Sequence, residues 1–298
     1  RAGVDIICNR RVNVLFQKGN SFKGVSAKYK NLDVEKIGCK KLILACNGFG
    51  GNSKLVAKHL PEIKDATWFG HDGNRGEALL WGEEIGASLK HLSAFQGHGN
   101  VAKPHGILIT WAVISEGGIQ VNQNGERFWN EASGYSEAAR AVLSQPNSQA
   151  FTIFDSRIAK IARQFVDFKN AEKSGAIQTA KTLEGLSNKL GLPLRNLSRT
   201  FASLETSKPD RFGRDFKGVN LKAPYYGVRV TGALFHTQGG LRVNNKSQVL
   251  RKDESPFGNL FAGGGAACGV SGKSDSGYLS GNGLLCAVAL GRIAGMAT

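Results

Sequence analysis

The sequence predicts an α/β fold, because two separate stretches each join an apolar strand to a helix through a glycine-bearing turn. Near the end of the chain, Leu260–Ala262 leads into three consecutive glycines, and a second glycine cluster opens an apolar helix over about 283–294. A comparable strand, turn and helix start occupy 41–52, KLILACNGFGGN, with Asn52 or Ser53 as the helix cap. Glycine lets backbone approach a ligand closely, and a helix N-terminus attracts electron-rich groups. Taken alone, the glycines also fit an ordinary strand-to-helix turn.

The composition indicates a globular protein with room for two domains. The chain has 298 residues, of which 41% are hydrophobic and 21% are charged. No apolar run approaches the length of a membrane-spanning helix, and we expect a cytoplasmic protein. Five cysteines without metal-ligand spacing indicate reduced thiols, and no metal site is expected. The net charge of +16 is spread along the chain, which favours a solvated basic surface over nucleic-acid binding.

Three segments carry a family resemblance: KLILACNGFGGN, then FAGGG, then GYLSGNGLLCAVALGRIAG. In this order they resemble the FAD-binding domain of the fumarate reductase and succinate dehydrogenase flavoprotein family. The resemblance implies an α/β FAD-binding (Rossmann-like) domain with FAD as cofactor and an inserted α+β capping domain. It assigns 1–91 and 231–298 to the FAD-binding domain and 92–230 to the capping domain, which faces the substrate.

The strand and G-x-G-x-x-G turn that normally open a dinucleotide-binding unit are absent from this sequence, which begins with Arg1. Relatives carry that unit in front, so the resemblance implies an N-terminally truncated FAD-binding domain. Without the unit, contacts to the pyrophosphate would be lost, and the strands around Leu42 and Leu260 would expose their edges. We therefore predict that the 298-residue chain alone holds FAD weakly and self-associates.

The remaining elements follow from local patterns. Val12–Phe16 and Phe22–Tyr29 are β-rich runs joined at Lys18-Gly19-Asn20, which predicts a hairpin, and 76–87 has helical spacing. Between them and the final segment, Asn124-Gly125 predicts a second hairpin that leads into RFWNE, a near match to the family's GKRFVNE. We expect a strand at 152–155, helices at 156–165 and 182–190, and another helix starting at Pro193.

The resemblance also places residues at the cofactor. Glu77 stands where the family has an aspartate and keeps an acceptor there. The full set of expected FAD contacts is Val14, Ala45, Asn47, Gly48, Gly50, Gly51, Asn52, Glu77, Gly239, Gly240, Gly263, Gly264, Gly265, Gly281, Asn282, Gly283 and Leu284.

Two histidines match substrate-facing positions of the family. His236 in HTQGG corresponds to the family's HTMGG, and His98 in QGHGN corresponds to QAHPT, although the proline is lost. The alternative for each is a structural histidine. The arginines and glutamate that hold dicarboxylates and carry a proton in fumarate and succinate enzymes are replaced, and Gly265 replaces the glutamate of AAGE. The residues at those dicarboxylate positions are Trp111, Ile114, Tyr135 and Tyr278.

These replacements make a small dicarboxylate substrate improbable, because a buried dicarboxylate without arginine partners is costly. Tyr278-Leu279-Ser280-Gly281 resembles the Y-x-S-G segment of the Δ4-(5α)-3-ketosteroid dehydrogenases, which implies action of the tyrosine and serine at the substrate carbonyl and α-carbon. Alternatively, Tyr278 only packs on the flavin edge. The expected catalytic residues are Tyr278, Ser280 and His236, and the expected substrate-binding residues are His98, Trp111 and Tyr135.

The sequence thus predicts an FAD-dependent oxidoreductase that dehydrogenates or reduces a C–C bond next to a carbonyl of a ketosteroid-like or other apolar small molecule. Two alternatives stay open at this point. The first is an inactive scaffold that no longer holds FAD, and the second is a dehydrogenase of a small carboxylic acid such as tricarballylate or fumarate.

Overall fold

The computed structural model describes residues 3–29, 34–204, 210–216 and 220–297. The chain divides into two compact units. The first unit comprises Arg1–Leu55, His71–Ala94 and His236–Thr298, and the second comprises Val56–Gly70 and Phe95–Phe235. The predicted boundaries were at 91 and 230, and the assignment of FAD-binding and capping domains to these units stays a prediction. The segment 56–70, which we predicted with the first unit, packs instead with the second.

In chain order, the strands are β1 (Arg11–Lys18), β2 (Ser21–Lys28), β3 (Val34–Gly38), β4 (Leu42–Leu44), β5 (Thr67–Trp68), β6 (Leu89–Lys90), β7 (Phe95–Ala102), β8 (Ile107–Leu108), β9 (Ile119–Val121), β10 (Ala150–Asp155), β11 (Ile177–Ala180), β12 (Tyr225–Thr237), β13 (Gly240–Leu241), β14 (Gln248–Leu250) and β15 (Pro256–Ala262). The α-helices are α1 (Ser53–His59), α2 (Glu77–Glu84), α3 (Ala112–Ser115), α4 (Tyr135–Leu143), α5 (Ser156–Ala162), α6 (Val166–Lys173), α7 (Leu183–Leu190), α8 (Leu194–Ser203) and α9 (Asn282–Met296). Short 3₁₀ turns occur at Pro61–Ile63, Glu131–Ser133, Pro146–Ser148 and Gly264–Ala266.

Two small sheets build most of the first unit. Strands β1, β2 and β3 form an antiparallel sheet, and the predicted hairpin is present, with Lys18 paired to Ser21. In the other sheet the order is β14-β15-β4, and β15 runs parallel to β4, with Leu260 opposite Leu42 and Ala262 opposite Leu44. Because parallel strands end at the same edge of a sheet, the two glycine turns that follow β4 and β15 lie side by side.

A single mixed sheet organises the second unit. Its order is β8-β7-β12-β10-β9, and both β11 and β5 also pair with β12. Strand β5 pairs in parallel with Ala233 and Leu234, which explains why 56–70 belongs to this unit. Side chains of the sheet and of helices α3 to α8 form one apolar core, with fully buried residues such as Ile119, Ile153 and Phe154.

Local capping accounts for several helix starts. The Asn52 side chain accepts a hydrogen bond from the Leu55 amide, as predicted, and Asp155 and Thr182 cap α5 and α7 in the same way. The predicted helix 156–165 is too long, because α5 ends at Ala162 and a new helix, α6, starts at Val166. Among the described residues, no helix combines the length and apolar character that crossing a membrane requires.

Candidate functional site

The two adjacent glycine turns of the first unit form a closely packed cradle. Asn47 has a left-handed backbone with φ of 63°, and its side-chain oxygen accepts a hydrogen bond from the Gly48 amide. A Cβ atom at Gly265 would overlap this Asn47 oxygen and lie 2.9 Å from His236 Nε2. A side chain at position 265 would therefore require the Asn47 and His236 side chains to shift, which agrees with glycine in place of the AAGE glutamate.

His236 lies inside this cradle with both ring nitrogens engaged. Its Nε2 is 3.0 Å from Asn47 Oδ1, and its Nδ1 is 3.1 Å from Gln238 Nε2. Since an amide nitrogen only donates, Nδ1 accepts and Nε2 carries the proton. Burial lowers the pKa of His236, so the imidazole is neutral. In this arrangement His236 connects two of the predicted motifs, and its predicted catalytic role requires that one of these bonds be exchanged.

Asn282, at the start of α9, is buried and makes three contacts with the protein. Its amide nitrogen donates to Gln238 Oε1, and its Oδ1 accepts from the Val270 amide at 3.0 Å and from the Cys286 thiol. The side chain therefore positions the helix start, and most of its hydrogen-bonding capacity is used within the protein. A cofactor contact here would come from the backbone, including neighbouring Gly283, where an added Cβ atom would lie 3.9 Å from His236 Cε1.

Tyr278 and Ser280 lie in the loop that precedes α9. The Tyr278 amide donates to the Asp275 carbonyl at 3.0 Å, and the Leu279 amide donates to the Ser271 hydroxyl at 3.0 Å. Tyr278 is half-buried and Ser280 is exposed, and Gly281 follows with φ of 82° as the N-cap of α9. The backbone that carries the two predicted catalytic residues is thus held close to a helix N-terminus, which favours an anionic oxygen.

Glu77 provides a test of whether the first unit fits FAD. Its Oε2 is buried and has no hydrogen-bond partner among the described residues, while Oε1 is 3.9 Å from Arg11 Nη2. Burial raises the pKa of the Cys46 thiol, and the Glu77 charge raises it further. An open carboxylate oxygen beside a glycine cradle suits a hydroxyl donor such as those of the FAD ribityl and ribose groups. The residues therefore fit the cofactor.

Other predicted cofactor residues are placed differently. Gly239 and Gly240 are buried against backbone, since a Cβ at Gly239 would overlap the His91 carbonyl and Gly240 pairs with Lys90. Asn52 is used as a helix cap and in a bond to the Arg75 carbonyl. Internal packing already explains these three residue types. A Cβ atom at Gly239 or Gly240 would overlap neighbouring backbone, and the Asn52 amide is engaged in hydrogen bonds within the protein. The exposed members of the set are Val14, Ala45, Gly51, Gly281 and Leu284.

In the second unit, six rings form what we call the aromatic cluster: Phe69, His98, Trp111, Trp129, Tyr135 and Phe235. The His98 ring is stacked between Tyr135, at 5.2 Å between centroids, and Phe235, at 5.1 Å. Trp111 meets His98 edge-on at 5.7 Å and lies 6.4 Å from Trp129. The structure thus brings together all three predicted substrate-binding residues and adds Phe69, Trp129 and Phe235, which the sequence analysis did not assign.

The aromatic cluster is uncharged, because its one titratable imidazole, His98, is neutral. Only 6% of the His98 surface is exposed, and burial lowers its pKa to about 3. Its Nδ1 is buried and has no hydrogen-bond partner within the part of the chain that the structure describes. A neutral imidazole with one open nitrogen can exchange a hydrogen bond with an uncharged polar group, but it supplies no positive charge to a carboxylate.

Two buried arginines of the second unit form ion pairs with acidic side chains. Arg127 donates from Nε to Glu131 Oε1 at 2.9 Å and also contacts Asp210. Arg214 Nη1 lies 3.1 Å from Glu131 Oε2, and Arg214 Nη2 donates to the Ile114 carbonyl. Ile114, at one of the positions where the family has an ionic group, is 2% exposed and packs in the core. These cations stabilise the fold rather than add charge to the aromatic cluster.

Comparisons with known proteins define the family. The model of the FAD binding domain family matches residues 1–284, so the chain belongs to this family and its cofactor is FAD. A probable fumarate reductase, Ifc3, of Shewanella frigidimarina (strain NCIMB 400) is 32% identical over 98% of this chain and 50% of its own length. A 3-oxosteroid 1-dehydrogenase of Mycobacterium tuberculosis is 28% identical over 92% of this chain and 56% of its own length.

Among solved structures, the open conformation of a flavocytochrome c3 fumarate reductase superposes with a TM-score of 0.78 and 31% identity. This likeness covers 98% of this chain and 52% of the other. The chain therefore spans about half the length of the relatives it matches. The predicted FAD-binding fold and the resemblance to both fumarate reductases and ketosteroid dehydrogenases are confirmed.

Proposed function

We propose that this chain forms part of an FAD-dependent oxidoreductase that acts on a C–C bond next to a carbonyl in an apolar, ring-containing substrate. The observation that carries this proposal is the neutral aromatic cluster around His98. Its half-buried rings offer apolar faces, and His98 Nδ1, which is buried and unpaired, would form one hydrogen bond to an uncharged polar group that reaches it. The name of the 3-oxosteroid 1-dehydrogenase relative supports a substrate of this class.

We assign the two units different tasks. The first unit would hold FAD through the backbone of the glycine cradle at Asn47, Gly48 and Gly265 and through the open Glu77 carboxylate. The second unit, which we interpret as the capping domain, would bind the apolar part of the substrate with the aromatic cluster. When bound, FAD supplies the hydride acceptor for dehydrogenation or the hydride donor for reduction.

The protein's own residues would move the proton. In dehydrogenation, the substrate loses one hydrogen as a hydride and a second as a proton from the carbon next to the carbonyl. Tyr278 is suited to take that proton or to donate a hydrogen bond to the carbonyl oxygen, because it lies beside the N-terminus of α9. Ser280 would take the other role, either accepting the proton or donating the hydrogen bond to the carbonyl oxygen. The reverse direction uses the same groups with the proton moving to the substrate.

The alternative substrate is a small dicarboxylate, and the fumarate reductase relatives favour it. The residues of this chain oppose it, because Trp111, Tyr135 and Tyr278 carry no positive charge at positions where the resemblance expects ionic groups. An inactive scaffold is disfavoured by the open Glu77 carboxylate, which suits a cofactor hydroxyl.

The deciding experiment compares two substrates in a protein that contains this chain and carries FAD. Androstenedione with an artificial electron acceptor represents the apolar class, and fumarate with a reduced dye represents the dicarboxylate class. We expect turnover with the steroid and rates with fumarate at least about a hundredfold lower. Efficient fumarate reduction would overturn the assignment of the substrate class, and an absence of flavin absorbance would favour the inactive scaffold.

A further inference from the structure

Gln120 occupies the centre of β9 and is fully buried in the second unit. Its side-chain nitrogen donates to the Gly99 carbonyl at 2.8 Å and to Thr152 Oγ1 at 3.3 Å. Its side-chain oxygen accepts from the Trp129 indole nitrogen at 3.1 Å. Both donors and the acceptor of this amide are therefore engaged, and one of its bonds reaches a member of the aromatic cluster.

The backbone on both sides of this contact is fixed independently. The Gln120 amide donates to Glu131 Oε1 at 2.9 Å, and the Trp129 carbonyl accepts from Arg127 Nη2 at 3.3 Å. Because the ion pair between Arg127 and Glu131 holds both segments, removal of the Gln120 side-chain amide should leave the backbone in place. What it releases is the orientation of the Trp129 ring.

Trp129 needs such a restraint because packing covers only part of it. The indole is half-buried, and its nitrogen is its one polar atom, so the bond to Gln120 selects one ring orientation among those that the space allows. In this orientation Trp129 lies 6.4 Å from Trp111, with the two planes inclined by 49°. The extent of flat ring surface that the cluster offers therefore depends on Gln120.

We propose that Gln120 is a positioning residue that sets the orientation of Trp129 and thereby favours substrates with several fused rings over single-ring substrates. The inference rests on the proposed function for its substrate class. It goes further by assigning the preference for several fused rings to one buried amide, that of Gln120, which contacts the cluster through Trp129. Gln120 itself would not contact the substrate.

The test compares Gln120→Met, which keeps the volume and removes the amide, with Trp129→Phe, which keeps a ring and removes the indole nitrogen. Thr152→Val is the matched control, since it removes another bond of Gln120 and leaves the contact to Trp129. Near-ultraviolet circular dichroism of the ligand-free protein reports the Trp111–Trp129 pair. Because Trp68 and Trp81 also contribute, Trp129→Phe identifies the part of the signal that comes from Trp129. We expect Gln120→Met to change that part and Thr152→Val to leave it unaltered.

Binding of two probes then tests the consequence for the substrate. Androstenedione has four fused rings, and cyclohexenone has one. We expect Gln120→Met and Trp129→Phe each to weaken androstenedione binding by about tenfold and cyclohexenone binding by less than about twofold, and the double variant to be no weaker than either single one. Equal losses for both probes, or additive losses in the double variant, would overturn the proposal.

The two hypotheses can fail separately. If the unaltered protein binds neither enone, the proposed substrate class fails, and the proposed preference for several fused rings fails with it. The circular dichroism of the ligand-free variants still decides whether Gln120 orients Trp129. If that signal is the same in Gln120→Met and the unaltered protein while steroid binding persists, the positioning role alone is overturned.

Discussion

The imidazole ring of His98 lies nearly parallel to the phenol ring of Tyr135, with 5.2 Å between the centroids and 25° between the planes. Phe235 is stacked on the same imidazole, with 5.1 Å between the centroids and 21° between the planes. This arrangement excludes the water that would stabilise a charged imidazole, and it explains why the pKa of His98 is lowered to about 3. The same ring that is expected to contact the substrate is therefore a source of acid sensitivity.

We predict that the free energy of unfolding decreases as the pH falls below 6.5, in part because of His98. In that range the unfolded chain binds a proton at this position and the folded chain does not, so stability rises with pH between about 3 and 6.5. At pH 5 this effect lowers the free energy of unfolding by about 2 kcal/mol relative to neutral pH. His98→Phe keeps an aromatic ring and removes the titration, so thermal unfolding between pH 5 and 7.5 should depend less on pH in this variant. An unchanged pH dependence would contradict the prediction.

The second prediction concerns Tyr278. In the FAD-containing protein, Tyr278→Phe should lower kcat by about 10²-fold or more and leave the flavin content unchanged, because the variant removes only the phenolic oxygen. Turnover assays and the flavin absorbance of the same preparation measure the two quantities. If the variant instead loses flavin and keeps its turnover per flavin, Tyr278 packs on the cofactor and does not move the proton.

The third prediction uses a pair of glycines. Gly265→Ala should destabilise the first unit by about 1–3 kcal/mol and reduce flavin content, because its Cβ would displace the bond between Asn47 and His236. Gly291→Ala, within α9, meets no atom within 4 Å and should stabilise the protein by about 0.5–1 kcal/mol. Denaturant unfolding of both variants checks the opposite signs. A neutral Gly265→Ala variant would show that the cradle adapts to a side chain.

The fourth prediction concerns association of the isolated 298-residue chain. Strand β4 lies at an edge of its sheet, and α9 exposes Leu284, Leu285 and Val288, so we expect the isolated chain to self-associate. Light scattering gives the mass, and Val288→Lys should shift it toward the monomer. Lys54→Glu, which changes charge at an exposed site on α1, serves as control. A monomer at the concentrations used for light scattering would contradict this expectation.

Local pattern was sufficient to predict the elements whose signals lie within a short stretch of chain. The hairpin at Lys18–Ser21, the Asn52 cap and the two glycine turns after β4 and β15 follow from turn residues and apolar runs, whereas the parallel pairing of β4 with β15 was not predicted. The partners of His236 could not be predicted in this way, because Asn47 is 189 residues away and enters through sheet pairing. The assignment of 56–70 to the second unit depends likewise on a two-residue strand that pairs with Ala233 and Leu234.

The candidate site shows the same limit. Motif comparison placed His98, Trp111 and Tyr135 in one functional group, and the structure brings their rings together. It did not reveal Phe69, Phe235 or Trp129, since these residues belong to motifs that were assigned to other tasks or to none. The tryptophan in RFWNE, where the family motif has a small apolar residue, was the available signal for Trp129.

The amide of Asn282 has a consequence for motion in the first unit. It joins Gln238, Val270 and Cys286, and the loop before it is closed by a hydrogen bond from the Gly272 amide to the Gly277 carbonyl. The segment that carries Tyr278 and Ser280 therefore opens only when the first turn of α9 opens with it. Hydrogen exchange should register the amides of Val270, Gly272 and Tyr278 as one cooperative unit with a shared opening free energy, and Asn282→Ala should speed the exchange of all three together.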